Sequence, residues 1–204
     1  MANNCSSYTL NGITLGCGGN MGGIKKVWLS DFDAFKVTYD EKEDGTRMSI
    51  KGIQLTGGST LKEYQFRKGT ANMTSTVTMD DTLGTFAVGT DLNLQFSKME
   101  ANKRLEIMAM CLTPSAAIVL DNNDKYWFLG SDNYVGASAA SGETGTASGD
   151  FGGYKATLHD EARQFPFEID KSIAEPLVGG ASSGGSTSGG NTSGGDDDEL
   201  DPLG

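Results

Sequence analysis

Few residues of this chain are of a type and spacing that perform chemistry. Its one histidine, His159, is followed by Asp160 at the end of a predicted strand, which invites comparison with a Ser-His-Asp triad. The only nucleophile-elbow pattern, GASSG at 180–184, lies in a Gly/Ser-rich segment and not on the strained strand-to-helix turn that this chemistry needs. We therefore interpret His159 as a surface residue at a strand end.

Two segments resemble ligand-binding loops, and each lacks residues that the loop requires. The run GGNMGG at 18–23 has the glycine spacing of a phosphate loop, but Ile24 stands in the lysine position and a strand is predicted to follow. The run DNNDKYWF opens like a calcium loop, but Lys125 and Tyr126 occupy the positions of an oxygen ligand and the turn glycine. The sequence thus predicts no catalytic residue, no cofactor and no metal site, and we expect a protein that is not an enzyme.

The three cysteines, Cys5, Cys17 and Cys111, are odd in number and follow no paired metal spacing, so we expect free thiols. The N-terminal run MANNCSSYTL has neither the basic nor the apolar region of a signal peptide. No apolar run approaches the roughly 20 residues that span a bilayer. We expect a chain that folds in a cytoplasm and does not enter a membrane.

The charge is strongly acidic and unevenly distributed. The formal net charge is -11, and five of these charges lie in one C-terminal run, which leaves -6 on the rest of the chain. A body of this sign repels phosphates, so we expect no sequence-specific binding of nucleic acid. The acidic run consists of Asp196, Asp197, Asp198, Glu199 and Asp201.

The elements that would position these residues are mainly strands. Alternating apolar and polar residues, rich in Thr, Phe, Tyr and Val, are typical of strands on a half-buried sheet. The pair Asp44 and Gly45 predicts one hairpin, Asn122 and Asn123 a second, and the Gly/Ser/Ala-rich stretch 130–153 a long loop. The predicted strands cover residues 24–29, 35–39, 48–55, 61–67, 70–79, 85–96, 116–120, 125–129, 154–158 and 164–169.

One helix is predicted at about 97–112, SKMEANKRLEIMAMCL, starting at a capping box of Ser97 and Glu100 and stopping before Pro114. This helix is expected to cover a sheet with one apolar face. The predicted fold is therefore mainly β, a β-sandwich or half-barrel of antiparallel strands with one flanking helix. The face predicted to be buried consists of Leu105, Met108, Ala109 and Leu112.

Composition divides the chain into three parts. Residues 1–23 form a Gly-rich N-terminal arm that is a candidate for ordering against a neighbouring subunit, and residues 24–175 form the β-sandwich with its helix. Residues 176–204 are predicted to be a flexible Gly/Ser linker with an acidic tail.

The order of these elements, with DEKEDG at the early hairpin and DNNDKYWFLGSDN followed by TASGDFGGYKATL, resembles structural proteins of tailed bacteriophages. Over about residues 20–175 the chain is similar to tail tube and neck or ring proteins, particularly of phages that infect Bacteroidetes. The resemblance implies a virion tail protein, assembled in the host cytoplasm, whose rings join their sheets into an inner β-barrel and stack into a conduit for the genome. Its implied partners are copies of itself and other tail or neck proteins, with DNA passing through unbound.

Ring closure would also pair edge strands that are an aggregation hazard in an isolated subunit. Two alternatives to a tail tube remain open, a neck ring and a glycan-binding β-sandwich module that stacks sugars on Trp28, Tyr126, Trp127 and Tyr134. The early hairpin resembles the loop by which such proteins contact the next ring. Its candidate intersubunit residues are Asp40, Glu41, Lys42, Glu43, Asp44, Gly45, Thr46 and Arg47.

Overall fold

The computed structural model describes residues 11–180 and the backbone of 182–183, and it confirms a mainly β fold of antiparallel sheets with a flanking helix. A single 3-10 turn, Phe32–Ala34, joins the first two strands. The elements are β1 (Ile24–Asp31), β2 (Phe35–Glu41), β3 (Arg47–Leu55), β4 (Lys62–Tyr64), β5 (Ala71–Asp80), β6 (Thr85–Ser97), α1 (Ala101–Leu112), β7 (Ser115–Asp121), β8 (Tyr126–Leu129), β9 (Gly136–Glu143), β10 (Gly153–Ala162), β11 (Phe167–Ile169), α2 (Lys171–Gly179) and β12 (Ser182–Ser183).

The strands form a six-stranded central sheet, a four-stranded sheet and a separate hairpin. The central sheet has the order β11-β8-β7-β1-β4-β12, and the four-stranded sheet has the order β5-β6-β10-β9. Strands β2 and β3 pair only with each other. All these pairs are antiparallel except the short parallel pair of β12 with β4.

The first hydrophobic core lies between the central sheet and the four-stranded sheet. Val27 and Leu29 of β1 face Leu92 and Leu94 of β6, because every second residue of a strand points to the same face. Helix α1 closes this core beside β9 and β10 with Ile107. Each fully buried side chain of this size contributes about 1.5–3 kcal/mol, so this layer is the main support of the four-stranded sheet.

The second core covers the opposite face of the central sheet. Trp28 and Phe128 point to this face, and the hairpin β2–β3 packs over them with Ile50 and Ile53. The ring of Phe35 in this hairpin lies 5.5 Å from that of Phe128, centroid to centroid. Most of the hairpin is therefore a packed layer, and only its tip extends beyond it.

Helix α1 differs from the prediction at its start and in its buried face. It begins at Ala101, because Ser97 still belongs to β6 and Lys98 adopts a left-handed backbone with φ 68° while its N–H bonds to Gly152 O. The capping box of Ser97 and Glu100 is therefore wrong, since Glu100 makes no side-chain cap. The nitrogen Nζ of Lys103 instead reaches the Ser97 carbonyl oxygen at 2.6 Å.

The predicted buried face of α1 is also wrong. Ile107 and Met110 are its buried residues, whereas the predicted set is exposed. The reason is that α1 covers only the β9–β10 side of the four-stranded sheet, so a narrow stripe of the helix suffices. The exposed set is Leu105, Met108, Ala109 and Leu112.

Among the elements that were not predicted are β9 and α2. Strand β9 has the sequence GASAASGE inside the predicted loop, and its small residues fit because a Cβ on Gly142 would lie 2.9 Å from the Tyr154 ring. Helix α2 runs through Pro176 to Gly179, so the predicted boundary at 175 falls inside a packed helix whose Ala174 is fully buried. The packed part of the chain therefore extends beyond 175.

Candidate functional site

The four-stranded sheet has two edges that no described strand pairs with. Its outer strands are β5 and β9, and neighbouring strands alternate in direction from β5 through β6 and β10 to β9. With four alternating strands, β9 runs opposite to β5. A second copy that placed its β5 against β9 would thus continue the antiparallel ladder without a break.

The face of this sheet that points away from the core consists mostly of polar residues. Asn72, Asn93, Thr157 and Ala139 lie in one row across the four strands, and Thr157 Oγ1 lies 2.8 Å from Asn93 Oδ1. Asn72 is followed on the same face of β5 by Thr74, Thr76 and Thr78 at alternate positions. The charged residues on this face include both signs: Lys155 pairs with Glu143 across β10 and β9, and Asp91 contacts His159. The acidic side chains of this face, Asp91, Glu143 and Glu161, outnumber its one lysine, Lys155.

His159 and Asp160 do not form a catalytic pair. They are successive residues within β10, so their side chains point to opposite faces of the sheet. His159 Nδ1 lies 2.7 Å from Asp91 Oδ1 on the outward face. Asp160 points inward, and the two side chains diverge.

Asp160 is the most unusual ionisable group in the described part of the chain. It is 2% exposed, its Oδ2 accepts a hydrogen bond from Gly130 N at 3.2 Å, and its Oδ1 has no partner among the described residues. Burial raises the pKa of this carboxyl above its ordinary value, and the charge of Asp132 raises it further, although the Gly130 bond opposes the shift. Because this carboxyl is buried with a single hydrogen-bond donor, its protonation state affects the stability of the fold.

The candidate intersubunit loop, residues 40–47, is tied to the body at its ends and exposed at its tip. Arg47 Nη1 donates to Asp132 Oδ1 at 2.8 Å and to Ser131 O at 3.1 Å, and its guanidinium lies 4.4 Å from the centroid of the Tyr39 ring. Asp40 pairs with Lys51 at 2.8 Å on the neighbouring strand. Residues 42–45 are exposed at the turn, so the tip is available to a partner while its base supports the fold.

The four aromatic residues considered for sugar stacking do not share an exposed face. Trp28 and Tyr126 are buried, and Trp127 is half-buried with its Nε1 donating to Asp121 Oδ2 at 3.1 Å. Tyr134 alone of the four is exposed. This geometry provides no stacking platform made of these residues.

The arm is attached at residues 21–23 to the turn between β7 and β8. The amide of Asn123 exchanges two hydrogen bonds with the backbone of Met21, at 2.9 and 3.0 Å, and Asn122 Nδ2 donates to Gly22 O. Residues 11–20 are exposed and residues 1–10 lie outside the described range. The path of the arm is thus fixed where it meets the body.

Two exposed apolar surfaces were not identified from the sequence. The first is the end of the β5–β6 hairpin, here called the hairpin tip, which consists of Val77, Met79, Leu83 and Phe86. The second lies at the start of β9, where the C-terminal end of α1 borders a notch of about 570 Å³. The apolar residues of this β9 notch include Cys111, Leu112, Pro114, Tyr134 and Ala137, and its polar lining includes Asn133, His159 and Glu161.

Among the described residues we find no cluster of His, Cys, Asp or Glu that could hold a metal ion. Cys17 and Cys111 are exposed free thiols, and Cys5 lies outside the described range. No helix in the described ranges has the length and apolar character required to cross a membrane. Comparison of the chain with protein-family profiles, with curated proteins and with solved structures gives no match.

Proposed function

We propose that this protein is a structural subunit of a bacteriophage tail tube, which closes into rings through its four-stranded sheet and stacks to form a conduit for the genome. It acts by self-assembly and catalyses no reaction. The observation that carries the proposal is the pair of open edges, β5 and β9, at opposite ends of a sheet with an even number of alternating strands.

A contact between β5 of one copy and β9 of the next is head-to-tail, because different strands meet. Such contacts generate a ring when the rotation between copies closes and an open helix when it does not. Sheets twist and curve in a consistent direction, which favours closure into a barrel. Closure would pair the backbone groups of both edges and remove the aggregation hazard that each edge presents alone.

The polar outward face of the sheet suits the lumen of such a ring. Its threonine and asparagine side chains carry no net charge, and the charged residues on it include both signs. Retention of DNA depends on cationic side chains that displace counterions from phosphates. A polar wall without a basic cluster lets a polyanion pass without holding it.

The first test is assembly of the purified chain, followed by negative-stain microscopy and light scattering over a range of concentrations. We expect rings of uniform diameter that stack into tubes as the concentration rises. Rings that close but never stack would indicate a neck ring instead of a tube. A persistent monomer would overturn the proposal, and a monomer that binds an oligosaccharide would favour the binding module.

The second test is cross-linking of the two edges. In a background of Cys5→Ser, Cys17→Ser and Cys111→Ser, cysteine at Ala139 is combined in turn with cysteine at Asn72, Thr74 or Thr76. All these positions lie on the outward face, and the three on β5 sample the stagger that a barrel requires. We expect one combination to give a ladder of covalent oligomers. Absence of cross-links from all three, in a protein that still forms rings, would show that the rings use another surface.

The third test shortens the tip of the candidate intersubunit loop, residues 40–47, and leaves the base of the loop unchanged. Deletion of 41–47 would remove Arg47, whose hydrogen bonds to Asp132 and Ser131 hold the hairpin to the body. A loss of stacking in that variant could therefore result from a folding defect as well as from the loss of the contact between rings. Replacing only residues 42–46 by an Asn-Gly turn keeps both strands. We expect rings that no longer stack, and unchanged tubes would exclude this loop as the contact between rings.

A further inference from the structure

We propose that the hairpin tip of one copy docks into the β9 notch of the adjacent copy in the same ring. This inference rests on the proposed function, because it requires β5 and β9 of neighbouring copies to pair. It adds a side-chain contact, made of apolar residues, to a junction that otherwise consists of backbone hydrogen bonds.

The register of the sheet places the two surfaces at the same end of the sheet. Gly136, the first residue of β9, lies in the row of His159, Asp91 and Thr74. Strand β5 continues for six residues beyond Thr74, to Asp80. When two copies are placed level, this extension passes beyond the start of β9, where the β9 notch lies.

The apolar side chains of the tip point in the required direction. Val77 and Met79 occupy the same alternate positions of β5 as the core-facing Ala71 and Met73, and Met79 is paired with Phe86 of β6. Helix α1 also lies on the core side of β9 and β10, because its Ile107 belongs to the first core. The hairpin tip and the α1 part of the notch, Cys111 and Leu112, are thus on the core side of the shared sheet, while His159 and Glu161 line the notch from the outward face.

The exposed apolar area of the hairpin tip and the β9 notch is large enough to contribute to a specific interface. Met79 is 66% exposed, Leu83 is 74% exposed and Leu112 in the notch is 75% exposed, whereas such residues bury most of their surface when they have a partner. Aromatic side chains bury about 150–250 Å² each, and with the aliphatic residues taken at the lower end of this scale the exposed parts of the tip and notch residues give several hundred square ångströms. Together with a paired strand edge this approaches the roughly 1,000 Å² that a specific interface requires. We assign the notch to a second copy of this chain, because pairing of β5 with β9 would bring the tip of that copy to this end of the sheet.

Cys111 provides a natural reporter, because it is exposed within the notch. In a background of Cys5→Ser and Cys17→Ser, cysteine is introduced at Met79, and the matched control carries cysteine at Thr78. These two neighbours lie on opposite faces of the same strand, so only the first points to the side of α1. We expect oxidation or a short bis-maleimide to join Met79→Cys to Cys111 of another copy about tenfold more than Thr78→Cys.

A second pair of variants measures the contribution of the contact to assembly. Met79→Gln removes an apolar contact without adding charge, and Thr78→Gln is its matched control on the other face. Because burial of the Met side chain would be lost, we expect Met79→Gln to raise the concentration required for assembly about tenfold or more, with the control much less affected. Circular dichroism melting of the unassembled variants is expected to match the wild type, because Met79 is mostly exposed in the single chain.

The outcomes separate this inference from the proposed function. In one outcome the edge cysteines of β5 and β9 cross-link, but Met79→Cys and Thr78→Cys react equally with Cys111. That outcome would overturn the docking of the hairpin tip and leave the proposed ring supported. Equal assembly of the two glutamine variants would overturn the docking in the same way. If the edge cysteines also fail to cross-link, the proposed ring geometry fails with it.

Discussion

At the scale of single residues, two buried or half-buried aspartates respond to their surroundings in opposite ways. Asp121 is desolvated, which alone would raise its pKa, but its carboxylate accepts bonds from Lys125 N, Asn123 N and Trp127 Nε1 that lower the pKa overall. Asp160 accepts one bond from Gly130, so burial dominates and its pKa is raised. The number of hydrogen-bond donors that reach each carboxylate determines whether its pKa is raised or lowered.

This contrast gives a pH-dependent prediction. A raised pKa means that the folded chain binds the Asp160 proton more tightly than the unfolded chain does. The contribution of Asp160 to the free energy of unfolding is therefore fully present below the ordinary pKa of 3.8. This contribution is lost as the pH rises through the folded-state pKa. The lowered pKa of Asp121 has the opposite effect: its contribution is present above 3.8 and is lost as the pH falls through the folded-state pKa.

The measurement is urea unfolding of wild type, Asp160→Asn and Asp121→Asn over about pH 3 to 7. Relative to wild type, Asp160→Asn is expected to gain stability as the pH rises, and Asp121→Asn is expected to lose it. Groups far from the two substitutions titrate equally in the three proteins, so the differences report Asp160 and Asp121 together with their charged neighbours, such as Asp132 and Asp124. Curves with the same slope for both variants would contradict the assignment.

At the scale of elements, α1 shows how far a helical pattern determines orientation. The spacing of Leu105, Met108 and Leu112 correctly indicated an apolar stripe, but the structure turns that stripe to the surface and buries Ile107 and Met110. Both stripes have helical spacing, and the sequence contains nothing that shows which one meets the sheet. The orientation is set by long-range contacts with β9 and β10.

The orientation of α1 is testable with two methionines of the same helix. Met110 is 5% exposed and packs in the first core, whereas Met108 is 50% exposed. We expect Met110→Ala to lower the free energy of unfolding by about 2–5 kcal/mol, since it leaves a cavity. Met108→Ala is expected to cost less than about 1 kcal/mol, because alanine is the best helix former and little packing is lost.

Both variants are measured by urea unfolding of the unassembled chain, with far-UV circular dichroism as the check that the helix persists. Equal losses, or a larger loss for Met108→Ala, would show that the predicted face was the correct one.

The strands were predicted well where their residue types are those typical of buried strands. Strands β1, β5, β6 and β7 are rich in β-branched or aromatic residues, or in continuous apolar runs, and their cores fall within the predicted ranges. Strand β9 was missed because Gly, Ala and Ser have no β preference, and its pairing depends on the close approach of Tyr154. Helix α2 was missed because it is short and contains Pro176, which is disfavoured within a helix.

At the scale of the whole molecule, the sheet order could not be predicted from the sequence. Strand β6 pairs with β10, more than fifty residues away, and the six-stranded sheet places β1 between β7 and β4. The two open edges follow from that order, so the proposed assembly surface became visible only in the fold. By contrast, the loop at Asp44 and Gly45 was found directly, because its turn is encoded locally.

The limit of the packed body gives a prediction at this scale. Removal of residues 184–204 leaves α2 and β12 in place, and we expect the free energy of unfolding to change by less than about 0.5 kcal/mol. Removal of 176–204 cuts α2, exposes Ala174 and takes away Leu177 and Val178, which pack against the second core.

We expect the shorter chain to lose about 2–4 kcal/mol, since these apolar contacts return to water. Urea unfolding of the two truncated chains and the full chain provides the comparison. Equal stability of the two truncated chains would show that the body ends at 175, as the composition suggested.

The alternation of strands in the four-stranded sheet also determines the polarity of any ring built from it. Copies related only by rotation all point the same way along the ring axis. One rim therefore presents every turn between β5 and β6, and the other rim presents the segments joined by the hydrogen bond from Lys98 N to Gly152 O. A terminator or initiator that recognises one rim would not recognise the other. A filament of such rings would therefore have a distinct first end and last end, and its length could be controlled from one of them.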